Sequence, residues 1–322
     1  MAARATNLGE LTGFAADVRA GLTKAGQKEL LSKYLYDEVG SKLFEVISLL
    51  PEYGLTRADE RLLREHAREI ATLLPPGPLV AELGSGTGVK TRSILEAVGN
   101  RRKTSYFPIE ISRTALAMCR RELADIDSIS IVGFEREYID GLLEVAARRR
   151  EGQTILVLFL GSTIGNFDAP ADVSFLSDVR RALQPADALL LGTDLDKPTT
   201  QLIPAYDDAI GVTAAFNLNL LARVNRELGA DFALDRFRHE ARYNRATRSI
   251  EMHIRSRSEQ HVTVPAAGFS VSFADGETIW TETSHKYSLD EVDSLAARAG
   301  FRREAQWVDG EWPFAETLLI AE

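Results

Sequence analysis

With 322 residues, 45% of them hydrophobic, the chain is long enough to bury a substantial core, as one large domain with an insertion or as two unequal domains. A formal charge of -9 argues against a general nucleic-acid or anionic-membrane binder, because neutralising phosphates calls for a basic face; small-molecule chemistry fits better. The single cysteine, Cys119, excludes an intrachain disulfide framework and reads as a small core residue inside a helix.

Arg4, Glu10, Asp17 and Arg19 interrupt the apolar residues of the N-terminus, so no secretory signal is expected, and no run approaches the length of a membrane span. The expectation is a cytoplasmic monomer. Residues 1–75 read as mostly helical, with an apolar-periodic helix after Thr56 reached through Leu49-Leu50-Pro51-Glu52-Tyr53. From residue 78 short β-rich runs alternate with amphipathic segments, the signature of βαβ units and a parallel sheet. Strands are expected at Leu79 to Leu83, Ser105 to Glu110, Ser128 to Val132, Ile155 to Leu160 and Ala188 to Gly192, with helices such as Ser112 to Leu123 and Val173 to Leu183 between them.

The rhythm then changes. Thr199 to Leu228 looks helical, and Phe237 to Val264 alternates like antiparallel strands. It returns at Ser288 to Ala299, where Ser288 with Glu291 three residues on suggests a capping box, followed by strands at Arg302 to Val308 and Thr317 to Ala321. The fold class expected is α/β, a doubly wound Rossmann-like sheet with a second, smaller α+β substrate-binding domain. Residues 61–196 and 286–322 form the first; residues 1–60 and an insertion at 197–285 form the second. Ligands of open α/β sheets bind beyond the carboxyl ends of the strands, so an insertion there is expected to act as a lid that makes the second substrate's pocket.

Glu82-Leu83-Gly84-Ser85-Gly86-Thr87-Gly88 follows the first strand and precedes a helix. Alternating glycines let backbone approach a ligand closely at a helix N-terminus. Val89 separates Gly88 from Lys90-Thr91, which breaks a phosphate-binding P-loop, and the third glycine falls one place early for a dinucleotide fingerprint. The form that remains resembles the first motif of class I S-adenosylmethionine (SAM) methyltransferases. In that motif the loop passes the methionine part of SAM, and the acid, here Glu82, lies near its ammonium end.

Glu110 stands 24 residues after Gly86, where the second strand should end, and a carboxylate there suits the ribose hydroxyls of either SAM or NAD. A solvated strand-end glutamate is the competing reading. Glu137-Tyr138 offers a carboxylate for an adenine amino group and a ring for its face, or equally a helix-start acid and a core aromatic. The fourth strand ends in Gly161-Ser162-Thr163-Ile164-Gly165-Asn166, turning abruptly polar where it faces the cofactor; Asn166 both donates and accepts, as the ammonium and carboxylate of an amino acid require.

Together these segments resemble the histidine-specific Nα-methyltransferases of ergothioneine biosynthesis, which trimethylate L-histidine to hercynine. The resemblance spans nearly the whole chain. It rests on Tyr36-Asp37 with Gly40-Ser41-Lys42-Leu43-Phe44, Leu50-Pro51-Glu52-Tyr53, the glycine loop with Lys90-Thr91, Phe159 through Asn166, and Thr281-Glu282-Thr283-Ser284. It implies SAM as methyl donor, with Tyr36, Glu82, Gly84, Gly86, Lys90, Glu110, Glu137 and Tyr138 lining its site. For L-histidine it implies Tyr53, Gly161, Asn166, Tyr206, Met252, Glu282 and Ser284: Asn166 and Tyr206 hold the α-amino-acid end, Glu282 and Ser284 hydrogen-bond the imidazole, and Tyr36, Tyr53 and Asn166 are the catalytic candidates. No metal is implied, and His66, His239, His253, His261 and His285 show no convincing ligand spacing. Trp280, His285 and Tyr287 read as structural. Other readings are a methyltransferase of another amino acid or small amine, an NAD-dependent oxidoreductase, and a non-catalytic SAM sensor.

Overall fold

The structure, a computed structural model, describes residues 8–322. Arg4, one of the charges that argue against a secretory signal, lies outside them. The chain divides into two compact units: one holds the described residues up to Tyr53 together with Pro198–Ser284, the other Gly54–Lys197 with His285–Glu322. Among the described residues no helix is long and apolar enough to cross a membrane.

The first unit begins with α1 (Leu8–Leu22), the two-residue strand β1 (Lys28–Glu29) and α2 (Glu38–Ile47). Asp37 caps α2, its carboxylate accepting from the Gly40 N–H at 2.7 Å. The chain then passes into α3 (Gly54–Leu73), which belongs wholly to the second unit. The boundary therefore falls at Tyr53 rather than at residue 60. The cause is local: a Cβ on Gly54 would lie 2.2 Å from the Trp312 ring, so the helix starts in close contact with its own sheet domain.

The second unit continues with β2 (Leu79–Leu83), α4 (Arg92–Arg101), β3 (Thr104–Ile109), α5 (Arg113–Glu122), β4 (Ile129–Ile131), α6 (Tyr138–Ala146), β5 (Ile155–Phe159), α7 (Ala171–Ala182) and β6 (Ala188–Asp194). These five strands pair in parallel, as the alternating pattern suggested. Their central members are buried along their whole length, which is why they read as continuous apolar runs.

Back in the first unit, the helix expected over 199–228 is broken into α8 (Thr199–Tyr206) and α9 (Val212–Leu228). The Asp208 carboxylate accepts from the N–H groups of Val212 and Thr213, at 2.9 and 2.7 Å, and Gly211 supplies φ +83°; together they start a new helix. Five strands follow: β7 (Phe237–Asn244), β8 (Ser249–Ser256), β9 (Gln260–Val264), β10 (Phe269–Phe273) and β11 (Thr278–His285). They form a sheet of order β1-β11-β8-β7 and a separate β9-β10 hairpin.

Completing the second unit are α10 (Leu289–Arg298), β12 (Phe301–Val308) and β13 (Phe314–Ala321). Ser288 and Glu291 form the expected capping box. The seven-stranded order is β12-β13-β6-β5-β2-β3-β4, with β13 antiparallel to both neighbours. Strand order reverses between β2 and β5, so the crevice at their carboxyl ends is the place where a doubly wound sheet binds its ligand.

Candidate active site

The glycine loop leaves the end of β2 with Gly84, Gly86 and Gly88 all at positive φ, +76°, +51° and +77°. A Cβ on Gly86 would meet nothing within 4 Å, so the backbone is bare on that side, as a cradle for a ligand must be. Gly88 is the packed one, since a Cβ there would fall 2.7 Å from Cys119 Sγ. Cys119 is a buried core residue, and burial pushes its thiol up to about 12.

Glu82 is placed differently from the expectation. Its carboxylate is buried beneath the loop, accepting from Thr91 Oγ1 at 2.8 Å through each oxygen and from the Tyr106 hydroxyl. It braces loop and helix from below. Burial raises its pKa to about 7, so the folded state binds a proton between about 4.5 and 7 that the unfolded chain has released. This group's contribution to stability is fully present below pH 4.5 and is lost as pH rises through about 7. Glu82→Gln should therefore flatten the decline of the melting temperature from pH 5 to pH 8; an unchanged slope would show that Glu82 titrates normally.

Glu110 follows β3 and reaches the loop: Gly86 N–H donates to its Oε2 at 3.3 Å and Ser112 N–H to Oε1 at 3.1 Å. The acid stands at the end of its strand as the spacing suggested, and the structure puts it beside the glycine loop. Tyr138 opens α6, packs edge-on against Phe159 and Phe175, and places its hydroxyl 3.1 Å from where a Gly84 Cβ would be. Glu137 sits at the start of α6 with an exposed side chain.

At the end of β5, Gly161 and Ser162 adopt successive left-handed conformations, φ +70° and +57°, before the 3-10 turn Thr163–Asn166. The Ser162 hydroxyl accepts from the Asp194 N–H at 2.8 Å. The Gly161 N–H donates to Asp59 Oδ2 at 3.0 Å, and Lys90 Nζ reaches the same oxygen at 2.6 Å. Asn166 ends the turn, partly exposed. Of the expected residues, Glu82, Gly84, Gly86, Lys90, Glu110, Glu137, Tyr138, Gly161 and Asn166 belong to this second unit.

The remaining six belong to the first unit. Tyr36 packs edge-on against Phe44 and Phe216, with centroids 5.5 and 5.4 Å apart, and Tyr53 against Tyr206 at 5.9 Å. The Tyr206 hydroxyl lies 3.0 Å from Ser284 Oγ on β11. Glu282 is two residues away on the same face of that strand, and both are buried. Met252, also buried, lies on the adjacent strand β8. Trp280 donates its indole N–H to the Glu282 carbonyl at 2.9 Å, the structural part expected of it.

Behind this group runs a polar chain that the sequence reading missed. His239 Nε2 lies 2.7 Å from the Tyr206 carbonyl and Nδ1 2.9 Å from Asn217 Nδ2; Thr281 Oγ1 donates to Asn217 Oδ1 at 2.7 Å. The carbonyl takes the proton of Nε2 and Nδ1 accepts, which fixes one neutral tautomer, and burial pushes the imidazole pKa down accordingly. His239 thereby holds the end of α8 that carries Tyr206. No short-range motif marks it, since its partners come from α8 and α9.

A family model described as histidine-specific methyltransferase, SAM-dependent, matches residues 14–321. The chain belongs to that family. It is similar to the histidine N-alpha-methyltransferase of Mycolicibacterium smegmatis, 44% identical over 309 residues and covering 94% of each chain. The histidine N-alpha-methyltransferase of Mycobacterium tuberculosis is 42% identical over 323 residues, 98% of each. Ergothioneine biosynthesis protein 1 of Neurospora crassa is 30% identical over 302 residues, covering 89% of this chain and 32% of that protein. A histidine-specific methyltransferase of this family is a SAM-dependent enzyme, and the seven-stranded sheet is its class I methyltransferase fold.

Proposed function

We propose that this enzyme transfers methyl groups from SAM to the α-amine of L-histidine, three times, to give hercynine at the start of ergothioneine biosynthesis. The observation that carries the substrate is the buried pair Glu282 and Ser284 on β11, with the Tyr206 hydroxyl, the group for the amino-acid end, 3.0 Å from Ser284 Oγ. An imidazole presents one N–H and one bare nitrogen; a carboxylate accepts from the first and a hydroxyl donates to the second. Met252 supplies an adaptable apolar wall beside the ring.

The residues of the second unit fit SAM. Gly84 and Gly86 expose backbone at the switch point, Glu110 stands beside them for the ribose hydroxyls, and Glu137 and Tyr138 address the adenine edge and face. Lys90 offers an ammonium to the methionine carboxylate. Bound SAM supplies an electrophilic methyl on a sulfonium. The chain's own task is to hold the amine as a free base on the line of the departing sulfur, and such alignment is worth roughly 7–11 kcal/mol. Asn166 and the backbone at Gly161 orient the amino-acid end, and the faces of Tyr36 and Tyr53 accommodate the quaternary ammonium of the third product.

Purified protein given SAM and L-histidine should yield mono-, di- and trimethylhistidine by mass spectrometry. A screen of the other free amino acids in the same assay decides between histidine and another acceptor. No methylated product at saturating SAM would overturn the reading.

A further inference from the structure

The second unit holds a buried set of charges that none of the glycine or substrate motifs predicts. Asp59 on α3 and Glu316 on β13 both have fully buried side chains. Glu316 faces Asp59, and Asp59 Oδ1 and both Glu316 oxygens are left without a hydrogen-bond partner among the described residues. The remaining oxygen, Asp59 Oδ2, accepts from Lys90 Nζ and the Gly161 N–H. Two glycines make room for the arrangement. A Cβ on Gly161 would stand 3.0 Å from Lys90 Nζ, and one on Gly192, in the middle of β6, would stand 2.9 Å from Glu316 Oε1 and 3.2 Å from the Gly161 nitrogen whose N–H binds Asp59 Oδ2. A glycine inside a central strand weakens it, so Gly192 is explained by the acid beside it.

We propose that Asp59 and Glu316 are positioning residues, a carboxyl pair sharing one proton, which fixes Lys90 on the SAM side and the Gly161 turn on the amino-acid side in one hydrogen-bonded unit. The inference rests on Lys90 and Gly161 having the roles proposed above. Two carboxylates facing each other out of water cannot both ionise, and the single ammonium balances only one of them. Glu316 is the member that keeps the proton: burial and the adjacent Asp59 both push its pKa up, against Lys90. The protonated Glu316 donates to Asp59 Oδ1 and leaves Oδ2 free for its two donors. Glu82 is the other ionisable group facing Lys90, and it too is held toward its protonated form by burial. Through Gly161 the pair also steadies the two left-handed residues that set the course of the turn toward Asn166, a conformation disfavoured for the non-glycine Ser162.

The test uses the full chain with Glu316→Gln, Glu316→Ala, Asp59→Asn and Lys90→Ala, measuring SAM affinity by calorimetry, kcat with L-histidine, and melting temperature. Asp59→Asn and Glu316→Ala are expected to weaken SAM binding about tenfold or more and to lower kcat, because the first removes the charge that holds Lys90 and the second removes the donor that fixes the Asp59 carboxylate. Glu316→Gln, which still donates an N–H to Asp59, should recover most of what Glu316→Ala loses. Equal damage from Glu316→Gln and Glu316→Ala in folded protein would overturn the shared proton. Unchanged SAM affinity and kcat in Asp59→Asn would overturn the positioning role. If Asp59→Asn does not fold, the two Glu316 variants decide alone. Failure of the underlying reading looks different: the wild type would not bind SAM, or Lys90→Ala would bind it as tightly as wild type.

Discussion

Asp194→Asn is expected to cost the fold about 3–5 kcal/mol, the range for removing one partner of a buried ion pair, against a total stability of about 5–15 kcal/mol. The carboxylate at the end of β6 is fully buried with two lysines. Lys197 Nζ lies 2.5 Å from Oδ1, Trp312 Nε1 donates to the same oxygen at 2.8 Å, and Lys286 Nζ stands 2.8 Å from Oδ2. Lys197 is the last residue of the second unit before Pro198, and Lys286 is the second after Ser284, so one carboxylate fastens the chain where the insertion leaves and where it returns. Backbone bonds between Asp194 and Tyr287 and between Tyr287 and Asp196 join the same two segments, at 2.9 Å each. Asparagine keeps the shape and removes the charge, which takes away the carboxylate that the two buried ammonium groups share.

Urea unfolding at pH 7 measures this, and a loss under about 1 kcal/mol would show that the lysines escape to water in the variant. The wild type has its own pH signature. Burial lowers the Lys197 pKa to about 8, so between about 8 and 10.5 the unfolded chain holds a proton that the native state has released, and this group makes stability rise with pH there. Lys197→Met should remove that alkaline rise. Asp194 works in the other direction, since the two lysines hold its pKa below 3.8 in spite of burial; its contribution is present above 3.8 and is lost as pH falls through the folded value.

What the sequence revealed and what it hid follow from the range of the interactions. The glycine loop, the parallel strands and the Ser288 capping box depend on residues close together in the chain, and each is found where its pattern suggested. The place of Glu110 at the end of the second strand was legible too, and its contact with Gly86 follows in the structure because a doubly wound sheet puts the ends of its first two strands side by side. The break at Asp207–Gly211 was not, since an aspartate and a glycine inside an apolar-periodic stretch look like ordinary surface positions until Asp208 turns its carboxylate onto the next helix. Asp59, Glu316, Asp194, Lys197 and Lys286 were hidden for a stronger reason. Pattern reading assigns charged residues to solvent, and their burial is possible only because partners from distant segments arrive together. Glu82 shows the limit of a motif, which places the residue beside the loop but does not reveal that its carboxylate is taken up by Thr91 and Tyr106.

The acceptor side gives the second large effect. Glu282→Ala should raise the KM for L-histidine about 10–100-fold, since a hydrogen bond to a charged group in a buried site is worth about 1.5–3 kcal/mol, while the KM for SAM stays within about twofold. Glu282 lies in the first unit, on β11 with Ser284, whereas the glycine loop, Glu110 and Tyr138 belong to the second. An interaction with the imidazole is made equally in the ground state and the transition state, because the ring takes no part in the displacement at the amine. Its loss therefore appears in KM and leaves kcat nearly intact. Ser284→Ala should act in the same direction but more weakly, since a hydrogen bond from a neutral hydroxyl is worth about 0.5–1.5 kcal/mol. Steady-state kinetics with each substrate varied in turn separates the cases. If Glu282→Ala raised both KM values alike, or lowered kcat with KM unchanged, Glu282 would act on the architecture or on the reacting amine, and imidazole selection would have to come from elsewhere.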